Sequence, residues 1–140
     1  MKKKIASLTE MKNFAEKFAA KLKSPCLVRI TGDLGAGKTE FCRAVIRELC
    51  GDKKLVVPSP TFNIVQTYQT ADGGNLAHFD LYRVKSRDEL EELWMFEHIK
   101  EGIVLVEWPE LIADLRPAID IMIRDAGGAR REISIENRTK

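Results

Sequence analysis

Apolar side chains at positions 8, 11, 14, 15, 18, 19 and 22 recur at three- and four-residue spacing, which predicts an amphipathic helix along the first part of the chain. Ser7 with Glu10 forms a capping-box pattern at its start, and Ser24-Pro25 ends it. The pattern then changes. Leu27-Val28-Arg29-Ile30-Thr31 is a short β-branched run closed by glycine, a predicted strand, and residues 38–50 read as a helix stopped by Gly51. After Pro58-Ser59-Pro60, extended runs at 61–70 and 76–81 flank Ala71-Asp72-Gly73-Gly74-Asn75, whose glycines suit an antiparallel hairpin. Ser86 with Glu89 repeats the capping pattern and predicts a helix through about His98. Residues 103–107 form a compact aliphatic run of the buried-strand type, and Pro109 opens a short helical piece. Ile119, Ile121 and Ile123 alternate, as do Ile133 and Ile135 beyond Asp125-Ala126-Gly127-Gly128, so the tail predicts a second hairpin with one buried face.

Composition narrows the class. A chain of 140 residues, 44% hydrophobic and 31% charged, carries enough apolar material for one core, and residues 1–140 are expected to form one domain. Twenty-three Lys and Arg against 21 Asp and Glu leave a formal net charge of +2, too little for a stand-alone nucleic-acid binder. Cys26, Cys42 and Cys50 lack C-x-x-C spacing, which suits reduced thiols in a cytoplasmic protein with no disulfide partner. Lys2-Lys3-Lys4 resembles the basic end of a signal peptide, but Thr9, Glu10 and Lys12 interrupt the apolar segment that would have to follow, and no stretch approaches the ~20 apolar residues of a membrane span.

One motif carries chemistry. Gly32-Asp33-Leu34-Gly35-Ala36-Gly37-Lys38-Thr39 matches G-x-x-x-x-G-K-[ST] in full and lies between a predicted strand and a predicted helix. Glycines let successive N–H groups face a polyphosphate, the helix adds its positive end, Lys38 reaches the outer phosphates, and the Thr39 hydroxyl suits Mg²⁺. The expected nucleotide-contacting segment is Asp33, Leu34, Gly35, Ala36, Gly37, Lys38, Thr39 and Glu40, with Thr61 and Trp108 outside it.

A P-loop also needs a carboxylate at the end of a neighbouring buried strand, and Glu107 supplies one. Asp80 is its rival, suited to ordering a metal-bound water, to acting as general base, or to contacting the γ-phosphate region. Thr61 sits on a loop where a nucleotide-sensing switch would lie. His78 reads as a structural strand histidine, and Trp108 either stacks on a base or packs the core. Asp125-Ala126-Gly127-Gly128 matches the D-x-x-G of GTPases, yet it falls between two strands and no N-K-x-D segment accompanies it. It reads as a turn, and ATP is the expected nucleotide.

Gly32 to Thr39, Ser59-Pro60-Thr61-Phe62, His78-Phe79-Asp80-Leu81-Tyr82-Arg83 and Glu107-Trp108-Pro109-Glu110, in this order and spacing, resemble the bacterial TsaE family over nearly the whole chain. The resemblance implies a P-loop NTPase-like α/β fold in three layers, with a central mixed parallel and antiparallel sheet flanked by helices. It implies ATP and Mg²⁺ as cofactors, and a weak ATPase of tRNA threonylcarbamoyladenosine biosynthesis stimulated by a TsaB–TsaD complex, with tRNA reached only through that complex. Lys38, Asp80 and Glu107 would be the catalytic set, Thr39 and Glu107 the metal contacts, Thr61 a switch residue, and Trp108 a neighbour of the nucleotide or the partner. Leu93-Trp94-Met95-Phe96 stands where the family usually carries a glycine-containing segment. A small-molecule kinase and a nucleotide-gated binding module without turnover are the competing readings.

Overall fold

The computed structural model describes residues 1–139, and its strands join into one seven-stranded sheet. In chain order the elements are β1 (Lys2–Ile5), α1 (Leu8–Ala19), β2 (Cys26–Thr31), α2 (Lys38–Cys50), β3 (Val65–Gln69), β4 (Asn75–Asp80), α3 (Arg87–Glu92), α4 (Met95–Glu101), β5 (Ile103–Glu107), a 3₁₀ turn (Glu110–Ile112), β6 (Ala118–Asp125) and β7 (Arg131–Arg138). The strand order is β1-β7-β6-β2-β5-β4-β3. The centre is parallel: β2 pairs with β5 and β6, and β5 with β4. Both flanks are antiparallel, through β3 with β4 and through β7 with β6 and β1.

Alternation along the central strands sends apolar side chains to both faces, as a sheet covered on both sides requires. Val28, Ile30, Leu76, Leu105, Ile121 and Ile123 pack under α1 and α2, while Leu27, Ala77, Phe79, Val104 and Val106 pack under α3, α4 and the 3₁₀ turn. The architecture is an α/β fold, a mixed sheet flanked by helices. Phe41 of α2 is fully buried between Phe14 and Phe18 of α1, with ring centroids 6.3 and 5.6 Å away. Each such side chain contributes about 1.5–3 kcal/mol by leaving water, and this contact holds the P-loop helix against the rest of its layer.

Four elements differ from the sequence-based expectation. The lysine-rich start is a strand: β1 pairs with β7 from Lys2 opposite Ser134 to Ile5 opposite Arg131, and only Ile5 is buried. An edge strand with so much solvent exposure shows no apolar alternation, and lysines on it discourage pairing with other chains. Helix α1 ends at Ala19, and Leu22 reaches the core through a tightened last turn in which its N–H bonds the Ala19 carbonyl at 3.0 Å. The run expected to be extended from Thr61 becomes a strand only at Val65, because residues 61–63 form a turn whose end is Ile64 at φ +69°. The single helix expected through His98 is two, α3 and α4, broken at Trp94 with φ +59°. Ser86 makes no side-chain cap bond there, and Glu89 instead accepts from the Lys85 N–H at 2.7 Å.

One buried cation ties the second helical face to the sheet. Arg29 of β2 is 2% exposed and donates to Asp120 at 2.7 and 3.1 Å, to Ile112 O at 2.6 Å and to Leu115 O at 3.0 Å. Arg29→Ala strands two carbonyls and is expected to cost about 2–3 kcal/mol in denaturant unfolding. Burial pushes the Asp120 carboxyl up, but the hydrogen bonds and charges of Arg29 and then Arg138 outweigh it and hold the group below its ordinary value. Its contribution is therefore complete above the unfolded carboxylate pKa of about 4 and is lost as pH falls through the lowered native value. Asp120→Asn is expected to flatten the acid limb of a stability-versus-pH curve below about pH 4.

Candidate functional site

The parallel strands β2, β4 and β5 end side by side, and their last residues and the turns that follow build the site. Beyond β2 the chain turns sharply through residues 32–37 into α2. Gly32 has φ +154°, and a Cβ there would lie 2.5 Å from the Ile123 carbonyl oxygen of β6, so no larger residue fits. Gly35 and Gly37 take φ +79° and +106°, the left-handed geometry that lets consecutive N–H groups line one concave surface. Ala36 is buried beneath the loop and Leu34 projects into solvent.

Lys38 is 5% exposed and curls back over the loop, its Nζ donating to Gly32 O at 2.6 Å and Asp33 O at 2.9 Å and lying 4.0 Å from the centroid of the Trp108 ring. Burial lowers its pKa, and the carboxylates of Glu107, Asp33, Asp80 and Glu110 act the other way. Thr39, one residue on, donates from Oγ1 to Glu107 Oε1 at 2.9 Å, joining the first turn of α2 to the end of β5. Glu40 points away from this contact and pairs with Arg43 on the helix surface.

Asp80 and Glu107 are register partners at the ends of β4 and β5, buried to 3% and 2% exposure. Asp80 Oδ2 accepts from the Thr61 hydroxyl at 3.0 Å, and its Oδ1 from the Tyr82 N–H at 2.9 Å. Thr61 also shares a 2.8 Å hydroxyl contact with Ser59. The loop ahead of β3 is thus anchored on the Asp80 carboxylate. Trp108, at φ +55°, packs at a tilt of 57° against Tyr82 with centroids 4.9 Å apart and covers Lys38. Arg83 lies outside, over the exposed Phe62 ring at 5.3 Å. The structure therefore brings Lys38, Thr39, Thr61, Asp80, Glu107 and Trp108 around one P-loop and leaves Leu34 and Glu40 at its rim.

Two residues with direct roles in this geometry escape sequence reasoning. His78, read from sequence as structural, is fully buried, and its Nε2 contacts Glu107 Oε2 at 2.6 Å. The two carboxylate oxygens of Glu107 are thus divided between Thr39 and His78. The H-x-D spacing was the available signal, since it sets His78 and Asp80 on the same face of β4. The second is Arg131 of β7, whose Nε donates to Ala36 O in the P-loop at 2.7 Å; nothing in the local sequence foreshadows a contact across 95 positions.

Cys42 lies one turn below Thr39, and its sulfur, His78 and Glu107 offer ligand atoms within 4.8 Å of one another. Burial, reinforced by the Glu107 and Asp80 carboxylates, holds the Cys42 thiol well above its ordinary pKa. Both carboxylate oxygens of Glu107 are already engaged, by His78 at 2.6 Å and by Thr39 at 2.9 Å, so this trio reads as packing beneath the site. The oxygens of Thr39 and Glu107, with Asp80 beside them, form the hard donor set that suits Mg²⁺.

A family model described as "Threonylcarbamoyl adenosine biosynthesis protein TsaE" matches residues 5–133. The chain belongs to the TsaE family. A protein of Rickettsia typhi named "tRNA threonylcarbamoyladenosine biosynthesis protein TsaE" is 42% identical over 129 residues, covering 91% of this chain and 88% of the relative. The Bacillus subtilis protein of the same name is 39% identical over 129 residues, covering 89% and 78%. The crystal structure of Bacillus subtilis YdiB superposes with a TM-score of 0.76 at 32% identity, over 99% of this chain and 85% of that one. TsaE membership ties the chain to tRNA threonylcarbamoyladenosine biosynthesis. Among the described residues no helix is long and apolar enough to cross a membrane. Trp94 occupies the left-handed position at the α3–α4 break with 66% of its surface exposed, so this chain carries a bulky residue in a conformation that favours glycine.

Proposed function

We propose that this TsaE-family chain is an accessory ATPase. It binds Mg²⁺-ATP, hydrolyses it slowly, and thereby supports a TsaB–TsaD-type threonylcarbamoyl-transfer complex through which alone it reaches tRNA, in the cytoplasm. The observation that carries the reading is the 2.9 Å bond from Thr39 to Glu107, because it couples the residue after the P-loop lysine to a buried carboxylate on the adjacent strand. A glycine-rich turn of purely structural use has no need of that pairing. The near-neutral net charge of +2 favours indirect access to tRNA.

Thr39 and Glu107 would hold Mg²⁺, which when bound neutralises charge on the outer phosphates. Loop N–H groups cradle the phosphates, and Lys38 leaves the carbonyls of Gly32 and Asp33 to pair with them. Asp80, fixed by Thr61 and Tyr82, orients the attacking water and accepts its proton. Release of Thr61 from Asp80 would transmit the state of the site to the exposed loop around Phe62, where a partner is able to read it.

The test is the rate of phosphate release from ATP by purified protein, alone and with the TsaB–TsaD pair. Slow basal hydrolysis that rises with the pair is expected. An absence of Mg²⁺-ATP binding, or transfer of the γ-phosphate to a metabolite, would refute the reading. Thr61→Ala frees one Asp80 oxygen and is expected to lower the stimulated rate by about tenfold or more, with ATP affinity changed less than about twofold.

A further inference from the structure

The turn set aside as a GTPase look-alike has a role of its own. Asp125, Gly128 and Arg130 converge on one guanidinium: Arg131 Nη1 donates to Asp125 Oδ1 at 3.3 Å, to Gly128 O at 2.7 Å and to Arg130 O at 2.8 Å. Asp125 Oδ1 also accepts from the Gly127 N–H at 2.8 Å, which fixes the turn that supplies these acceptors. The other side of the guanidinium faces the P-loop, Nε meeting Ala36 O at 2.7 Å and Nη2 meeting Gly35 O at 3.4 Å. The Arg131 side chain is only 16% exposed, on a strand that lies between β1 and β6, one in from the edge of the sheet.

We infer that Arg131 is a positioning residue that pre-forms the phosphate cradle, held in place by the Asp125–Arg130 turn. The physical reason lies in the peptide unit. Within one trans peptide plane a carbonyl and the N–H of the following residue point in opposite directions, so holding the Gly35 and Ala36 carbonyls toward Arg131 turns the N–H groups of Ala36 and Gly37 away from it. Gly35 and Gly37 lack the Cβ that would otherwise restrict these torsions, so an external clamp adds to the confinement that the Ala36 N–H to Asp33 O bond at 3.0 Å and the Lys38 contacts give the front of the loop. The planar guanidinium, which donates in a fixed fork, is able to grip the loop and the turn at once where an ammonium is not. The Gly37 position stays open to this contact, with its would-be Cβ 3.8 Å from Arg131 Nε. The β6–β7 hairpin thereby serves as the back wall of the P-loop.

The consequence for nucleotide affinity rests on the ATPase reading proposed above, whereas the consequence for loop order does not, so the experiment measures both. Amide hydrogen exchange is followed in wild type, Arg131→Ala and Arg131→Lys without nucleotide, and ATP affinity is measured by calorimetry with and without Mg²⁺. In Arg131→Ala, exchange in residues 33–39 is expected to speed up tenfold or more while the β6 and β7 strand amides keep their protection, and ATP affinity is expected to fall about tenfold in both metal conditions. Arg131→Lys is expected to recover less than half of either effect. Asp125→Ala, which loosens the turn but leaves the guanidinium, is expected to give a smaller change in the same direction. The inference is overturned if residues 33–39 exchange at the wild-type rate in Arg131→Ala, if the strands lose protection along with the loop, or if ATP affinity stays within twofold of wild type. A wild-type protein that fails to bind ATP while Arg131→Ala still loosens the loop refutes the ATPase reading and leaves the positioning role standing.

Discussion

Lys38→Ala is expected to lower ATP hydrolysis by about 10²–10³-fold or more and to weaken ATP binding, with the fold intact. Lys38 is the one cation buried within the P-loop, and its Nζ sits on two loop carbonyls at 2.6 and 2.9 Å, so ligand phosphates replace partners that already hold it at the right place. That pre-positioning means little side-chain freedom is lost on binding, and truncation removes a charge aimed at the site of developing negative charge. Loss of the amine also uncovers the Trp108 ring, 4.0 Å away, and so is expected to shift tryptophan emission even without nucleotide. Phosphate-release kinetics with and without the partner pair, together with circular dichroism, check the result. Hydrolysis by Lys38→Ala at the wild-type rate would place the activity outside this loop.

Glu107 gives the second large effect, and its two substitutions are expected to diverge. In Glu107→Gln the amide oxygen accepts from His78 while the amide nitrogen donates to the Thr39 hydroxyl, which serves as donor or acceptor alike. Both contacts survive, stability stays near wild type, and only the negative charge is lost. Hydrolysis is expected to fall about 10²–10³-fold, with a matching rise in the Mg²⁺ concentration needed for half-maximal ATP binding. Glu107→Ala suffers the same chemical loss and a structural one. His78 is fully buried and its Nδ1 has no hydrogen-bond partner among the protein groups, so removing Glu107 also takes away the partner of its Nε2. The added cost is expected to be about 2–3 kcal/mol, read from urea unfolding. If Glu107→Gln loses as much stability as Glu107→Ala, the sharing of the carboxylate between Thr39 and His78 is not what holds this corner together.

These expectations also show how unevenly the site was legible. The P-loop and its flanking strand and helix stand out because their spacing is dictated locally: three glycines, a lysine and a hydroxyl within eight positions, between an extended run and a helical one. Glu107 was legible for a related reason, since four aliphatic residues ending in a carboxylate describe a strand buried until its tip. His78 was passed over because a histidine on an alternating strand looks the same from sequence whether its partner is a core carbonyl or the carboxylate of the adjacent strand. Its position opposite Leu105, two pairs below Asp80 and Glu107, exists only once β4 lies parallel to β5. The broken helix at Trp94 was illegible for the opposite reason, because the apolar spacing continues through the break while the backbone does not.

Taken by itself, the sequence determined the order and type of most elements and the P-loop motif, because each depends on residues within about ten positions of one another, and it determined the family through four short motifs in a fixed order. Tertiary structure decided the rest. It made a strand of the lysine-rich start, whose only specification is the open edge of β7. It divided Glu107 between Thr39 and His78, and it brought Arg131 and the Asp125 turn against the back of the P-loop. Those are pairings between residues 29 to 132 positions apart, and no periodicity or local motif encodes a partner at that distance; the strand order of the sheet does.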